Sequence, residues 1–237
     1  MRASPPITIT PSYRGHPRRV RLVVPPHDRA RDEPSPPVLV LFDGQNVLGD
    51  HGSFAGGWHA HTAVAKLPKT IRRPVIVAID SGPGRMAELW PEIDHFLRFV
   101  MHDVLPLAEH TLSLRFDPSA HGIGGASMGG LASLAAAARH PRVFRKVIAM
   151  SPSVWTVPRE ISRELHRAIV PRDARLYVDV GLRESERMVR RATETAALLA
   201  RDLPKECVMW RPDARGKHRE LDWRRRLPKA LRFAYRR

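Results

Sequence analysis

An α/β architecture with a mostly parallel central sheet follows from three features of the 237-residue sequence. Short continuous apolar runs recur along it, segments with helical apolar spacing separate them, and one glycine-rich turn joins a run directly to a helix. Runs of this kind, bounded by turn residues, suit strands buried on both faces of a parallel sheet. Their alternation with helices places helices on both sides of it.

The elements are read in chain order. A β-rich segment at 20–24 is followed by a Pro- and charge-rich stretch at 25–37 and a second β-rich segment at 38–42, which together read as a hairpin-type connection and supply the antiparallel opening. Helical spacing at 62–67 precedes the apolar run 75–79, and a longer helix is expected over 93–108. A weak strand at 120–124 enters the glycine-rich turn, and the small-residue segment 128–139 forms the next helix. Strands at 147–150, 176–180 and 207–210 then alternate with a helix at 186–201. The last helix, 221–235, carries Trp223, Leu227, Ala230, Leu231 and Ala234 at i, i+4, i+7, i+8 and i+11, the stripe of a helix packed on a sheet, with its arginines on the solvated face.

Composition bounds the function classes. The length suits one domain over 1–237, and 43% hydrophobic residues exclude a disordered chain. Cys207 is the single cysteine, so neither a disulfide scaffold nor a zinc ribbon is available. No apolar run of ~18 residues could span a bilayer and no apolar signal core opens the chain, so a soluble cytoplasmic protein is expected. The formal charge of +16 invites a nucleic-acid or acidic-polymer reading. Only six of the 40 cationic residues are Lys, however, and the excess is spread along the chain. Aromatic content is 6%, and no stacking or helix-turn-helix signature accompanies it, so no specific nucleic-acid partner is expected.

The turn that carries chemistry is Gly125-Ala126-Ser127-Met128-Gly129-Gly130. G-x-S-x-G between strand and helix is the nucleophile elbow of the α/β-hydrolase fold: the tight turn exposes the Ser127 hydroxyl, and the helix N-terminus aims the Met128 N–H at an oxyanion. A serine nucleophile needs a base and an orienting acid, which in this fold follow it in that chain order reversed, acid before histidine. His218 is the only histidine beyond the strand at 176–180, and Glu184 lies just past that strand's end. Glu186, Asp213 and Asp179 compete for the acid role. A second oxyanion donor is expected from the loop after an early strand, here Asp43-Gly44-Gln45-Asn46, with Gly44 letting the backbone turn so that the Gln45 N–H faces the reacting oxygen.

With these residues in hand, the chain resembles the putative esterase family of α/β-hydrolases, which includes esterase D, the enterochelin esterases and the mycolyltransferases. The resemblance runs over nearly the whole chain. Residues 40–46 look like the family's early strand and D-G-Q-N loop. Ile79-Asp80 with Arg85-Met86-Ala87-Glu88-Leu89 is similar to its I-D…R-x-x-E segment, which implies that Arg85 and Glu88 line the cleft. His140-Pro141-Arg142-Val143-Phe144 matches its H-P-x-x-F turn, and Ser151-Pro152-Ser153-Val154-Trp155 its S-P-x-x-W loop. Gly181-Leu182-Arg183-Glu184 and His218 with Trp223 resemble the G-x-R-E and H…W of enterochelin-esterase-like members. Those relatives carry an extra N-terminal β domain, whereas this chain is expected to be a nearly bare hydrolase domain.

The resemblance implies a Ser127–His218–Glu184 esterase acting on a small-molecule ester, with Gln45 and Met128 as oxyanion donors and Gly44, Arg85, Glu88 and Trp155 beside the substrate. No metal or organic cofactor is implied. Trp58 and Trp90 join Trp155 as candidate rim contacts, and Arg85, Arg183 and Arg219 would favour anionic esters if they flank the cleft. His59 and His61 lack the carboxylate or cysteine partners that a metal site would need. The acyl and alcohol parts of the substrate and the oligomeric state are not written in the sequence.

Overall fold

The computed structural model describes residues 5–26, 35–53 and 55–237. Its frame is an eight-stranded sheet in the order β1 (Ile7–Ile9), β4 (Val20–Val23), β6 (Val75–Ile79), β5 (Val38–Leu41), β7 (His121–Ala126), β8 (Lys146–Met150), β9 (Arg175–Gly181) and β10 (Val208–Asp213). The pairs β1/β4 and β4/β6 are antiparallel, and every other pair is parallel. A small hairpin of β2 (Ser12–Tyr13) and β3 (His16–Pro17) lies outside this sheet.

The expected hairpin between the first two β segments does not form. Both edges of β5 are taken by parallel partners, β6 and β7, so β4 can only add outside β6, in the register Val20↔Ile79. The connection between β4 and β5 therefore passes β6 instead of turning back on itself; its residues 27–34 lie outside the described residues.

Five strands are buried along essentially their whole length, as continuous apolar runs require. One face is covered by α4 (Ile93–Phe99), α5 (Leu105–Leu112), α6 (Met128–Arg139), α7 (Pro158–Arg167) and α8 (Glu186–Asp202), through residues such as Phe96, Leu131, Leu134, Ile161 and Leu199. The other face is covered by α2 (Ala60–Ala65) and α9 (Glu220–Ala234), through Val64, Trp223, Leu227 and Leu231, and by Tyr235 just past α9. Two short helices, α1 (Gly44–Val47) and α3 (Arg85–Leu89), follow β5 and β6 at their carboxyl ends.

The apolar stripe of α9 packs inward as its spacing predicts, each of its five residues being no more than 6% exposed. Its arginines do not all face solvent, because Arg226 lies among the stripe and is buried. The expected helix over 93–108 forms and runs on to Leu112, with a wide π-helical turn at Val100–Val104 between α4 and α5 and Pro106 just beyond that turn. Among the described residues no helix is long and apolar enough to cross a membrane.

Candidate active site

The segments that leave the carboxyl ends of β5, β6 and β7 and the stretch from β10 into α9 line one cavity of about 700 Å³. In such sheets this end is where loops leave the strands and ligands bind.

Ser127 stands between β7 and α6 at φ 55°, ψ −119°, a backbone conformation that costs a non-glycine residue about 1–3 kcal/mol. Its N–H donates to Met150 O at 3.0 Å and its carbonyl accepts from Leu131 N at 3.1 Å, so sheet and helix together impose the strain. Glycine at 125 is required by close approach: a Cβ there would sit 2.7 Å from the Gly129 carbonyl carbon. The Ser127 hydroxyl meets Ser153 Oγ at 3.1 Å. Met128 opens α6, where main-chain N–H groups have no partner within the helix.

His218 lines the same cavity and is brought against Glu184, with 2.9 Å between Nδ1 and Oε2. Glu186, Asp213 and Asp179 do not occupy that position: Glu186 opens α8 on the surface, Asp213 pairs with Arg225, and Asp179 is wholly buried in β9. The Glu184 side chain is fully buried. Burial works to raise its carboxyl. Hydrogen bonds from His218, from Ser151 Oγ at 2.6 Å and from Gly181 N at 2.8 Å outweigh that and hold it below the usual carboxylate range. The indole of Trp223 meets the His218 ring edge-on, centroids 5.0 Å apart at 83°, and limits its rotation.

The loop after β5 is built differently from the expectation. Asp43, not Gly44, takes the left-handed conformation (φ 56°, ψ 49°). Arg85 grips its carboxylate through Nε at 2.5 Å and Nη2 at 2.8 Å, and the Ser81 hydroxyl donates to it as well. Gly44 is needed for space, since a Cβ would meet Asp80 Oδ1 at 2.6 Å and the carbonyl carbons of Ala78 and Ile79 at 2.8 Å. Gln45 lines the cavity and accepts from Ser81 N through Oε1 at 3.0 Å.

Two residues expected beside the substrate lie elsewhere. Glu88 is buried against Arg18, whose Nη1 and Nη2 donate at 3.0 and 2.6 Å, and faces a separate cavity near β3. Trp155 packs beneath the guanidinium of Arg187 on α8, 5.3 Å from its centroid, and does not line the cavity. Trp90 likewise stacks with Arg139, whereas Trp58 does line it. Of the three arginines, Arg85 and Arg219 reach the cavity but are engaged by Asp43 and Asp222, and Arg183 does not reach it. His59 pairs with Asp50 at 2.8 Å, and no cluster of three or more metal-ligating side chains occurs among the described residues.

A family profile described as Putative esterase matches residues 12–234, nearly the whole chain. The chain belongs to that family. The enterobactin esterase FES from Shigella flexneri superimposes with a TM-score of 0.78 at 24% identity, over 98% of this chain and 58% of that one. The siderophore hydrolase EstB from Aspergillus nidulans does so with a TM-score of 0.73 at 19% identity, over 98% and 94%. These likenesses establish the fold. Among curated proteins, an iron(III) enterobactin esterase of Dickeya dadantii is 35% identical over 125 residues, and an uncharacterized protein, YbbA, of Bacillus subtilis is 30% identical over 91 residues. The matches span 28% and 36% of those proteins' own lengths and 52% and 38% of this chain.

Four residues around the site escaped the sequence reading. Glu220 is buried in the cavity wall, where it accepts from Trp58 Nε1 at 2.6 Å and Asn46 Nδ2 at 3.3 Å; burial pushes its carboxyl up. Ser153 touches Ser127, and Ser151 and Arg226 lie behind Glu184. Only Ser151 and Ser153 fell within a recognised motif, and nothing in its spacing says which hydroxyl faces which partner.

Proposed function

We propose that this member of the Putative esterase family is a serine esterase that cleaves a small carboxylic ester through Ser127, His218 and Glu184. The observation that carries the reading is the 2.9 Å His218–Glu184 pair opening onto the cavity in which Ser127 sits on its strained elbow. An ionised Glu184 only accepts, so Nδ1 of His218 holds the ring proton and Nε2 is the basic nitrogen. His218 takes the Ser127 proton as Oγ attacks the ester carbonyl, and the buried carboxylate stabilises the imidazolium. The N–H groups of Met128 and Gln45 bind the oxyanion. His218 then protonates the leaving alcohol, and water repeats the sequence on the acyl-enzyme.

The substrate class to try first comes from the named likenesses to enterobactin esterases and a siderophore hydrolase. The cavity wall, with Asn46, Glu220 and the Asp43–Arg85 pair, suits an ester bearing hydroxyl or amide groups better than a plain alkyl chain. A fluorophosphonate probe is expected to add one phosphonyl group to the peptide containing Ser127, located by mass spectrometry. Protection by tri-catecholate or aryl esters, compared with acyl esters of increasing length, ranks the substrates. Absence of labelling together with no hydrolysis of any p-nitrophenyl ester would sink the esterase reading.

A second expectation concerns the Gln45 loop. Gly44→Ala forces α1 away from β6 and carries the Gln45 N–H with it, so kcat falls about 100-fold, the usual scale for losing one oxyanion donor. Overpacking also lowers stability by about 1–3 kcal/mol, read from the urea midpoint. A wild-type kcat in this variant would remove Gln45 from the oxyanion site.

A further inference from the structure

Ser151 lies at the end of β8, does not line the cavity, and has four polar partners. Its φ of 41° is left-handed, a conformation held by its N–H donating to both Asp179 O at 3.1 Å and Asp179 Oδ1 at 3.0 Å. Its hydroxyl is approached by Trp223 Nε1 at 3.0 Å, Arg226 Nη2 at 2.9 Å and Glu184 Oε1 at 2.6 Å.

Two of these partners leave no choice of direction. Indole and guanidinium nitrogens only donate, so they occupy both lone pairs of the Ser151 oxygen, and its single proton must point at Glu184. A protonated Glu184 would find no acceptor in Ser151, and none in the Gly181 N–H that shares the same carboxylate oxygen. Oε1 thus meets donors alone, which favours the anion; a proton on the acid could sit only on Oε2, facing His218. That anion in turn requires a proton on His218 Nδ1.

We infer that Ser151 is a positioning residue that keeps Glu184 an ionised acceptor and thereby fixes the tautomer of His218. The inference rests on the triad reading above. It adds that a hydroxyl joined to the His218 ring only through Glu184, and oriented by Trp223 and Arg226, selects which imidazole nitrogen faces Ser127. Three charged or titratable groups act on Glu184: His218 from the loop before α9, Arg226 from α9 at 3.9 Å, and Asp179 from β9 through their shared Arg226. Glu220 acts on His218 from the start of α9.

The test is Ser151→Ala, followed by kcat, KM and the pH profile of kcat/KM on a p-nitrophenyl ester, with circular dichroism confirming the fold. Without the Ser151 proton the carboxylate is more basic, which favours imidazolium in the free enzyme and moves the acidic limb, and it loses the contact that holds it against Nδ1, which lowers kcat. The expected result is a kcat lower by roughly 10- to 100-fold, a KM within about twofold of wild type, and an acidic limb displaced to higher pH. Ser151→Cys, a poorer donor of similar size, falls between and serves alone if the alanine variant does not fold. A folded variant with wild-type kcat and an unmoved acidic limb overturns the inference while leaving the triad standing. Failure of the wild type to hydrolyse esters or to label at Ser127 overturns the triad instead.

Discussion

Ser127→Ala is expected to lower kcat for p-nitrophenyl acetate by about 10⁴- to 10⁶-fold while changing KM little. If Ser127 is the nucleophile proposed above, its removal leaves the cavity and the backbone at Gln45 and Met128 in place, so ground-state binding survives and only the covalent route is lost. A residual rate above background is expected from water attacking a carbonyl still polarised by those donors. Stability should hardly move, because alanine keeps the same strained backbone and gives up only the 3.1 Å contact with Ser153. Ser127→Gly is equally inactive but relieves the strain at φ 55°, and gains about 1–3 kcal/mol in urea unfolding. The pair thus separates two consequences of one conformation. Activity retained in either variant would remove Ser127 from the mechanism, and a glycine variant no more stable than the alanine one would remove the strain.

How far the sequence could be read depended on whether the deciding force was local. Strands such as Val38–Leu41 and Val75–Ile79 are legible because burial on both faces demands an unbroken apolar run, which shows directly in the residues. Their order is not: nothing in residues 20–24 says that β4 will pair with β6 and leave β5 to two parallel neighbours. The helix α7 was within reach, since Pro158 stands at its first position and Ile161 and Leu165 form a buried i, i+4 pair, but its other residues are mostly polar and charged and mask the pattern.

The same division runs through the site. The turn at Ser127 and the loop at Asp43 are written in consecutive residues. The separation of Glu184 from its competitors required the three-dimensional position of His218. Glu88, expected beside Arg85 in the cleft, instead answers Arg18, 70 residues earlier, and Arg85 is held by Asp43, 42 residues earlier. Periodicity likewise gave every arginine of α9 to solvent. Charge is the best local predictor of exposure, and it fails where two buried carboxylates wait for a cation.

Those carboxylates make Arg226→Met the variant with the largest expected loss of stability, about 3–5 kcal/mol at pH 8. The Arg226 side chain is 5% exposed, 3.2 Å from Asp179 Oδ1 and 3.9 Å from Glu184 Oε1, and Nη2 donates to Ser151. Methionine fills similar volume but leaves two buried acids facing each other without a cation. Burial already pushes the Asp179 carboxyl up to about 6 with Arg226 present, against 3.8 for an ordinary Asp. Losing the cation pushes it further. A carboxyl whose pKa is raised on folding binds more protons in the native state, so its contribution to stability is intact below pH 3.8 and is lost as pH climbs through the raised value. The gap between wild type and Arg226→Met should therefore be widest at pH 8 and narrow toward pH 5, where Asp179 is protonated in the variant and no longer needs a partner. Urea unfolding followed by tryptophan fluorescence at the two pH values measures it, with Trp223 reporting from the same cluster. Equal losses at both would mean that Arg226 holds α9 to the sheet by packing and hydrogen bonding alone, and that its charge does nothing for the acids beneath the site.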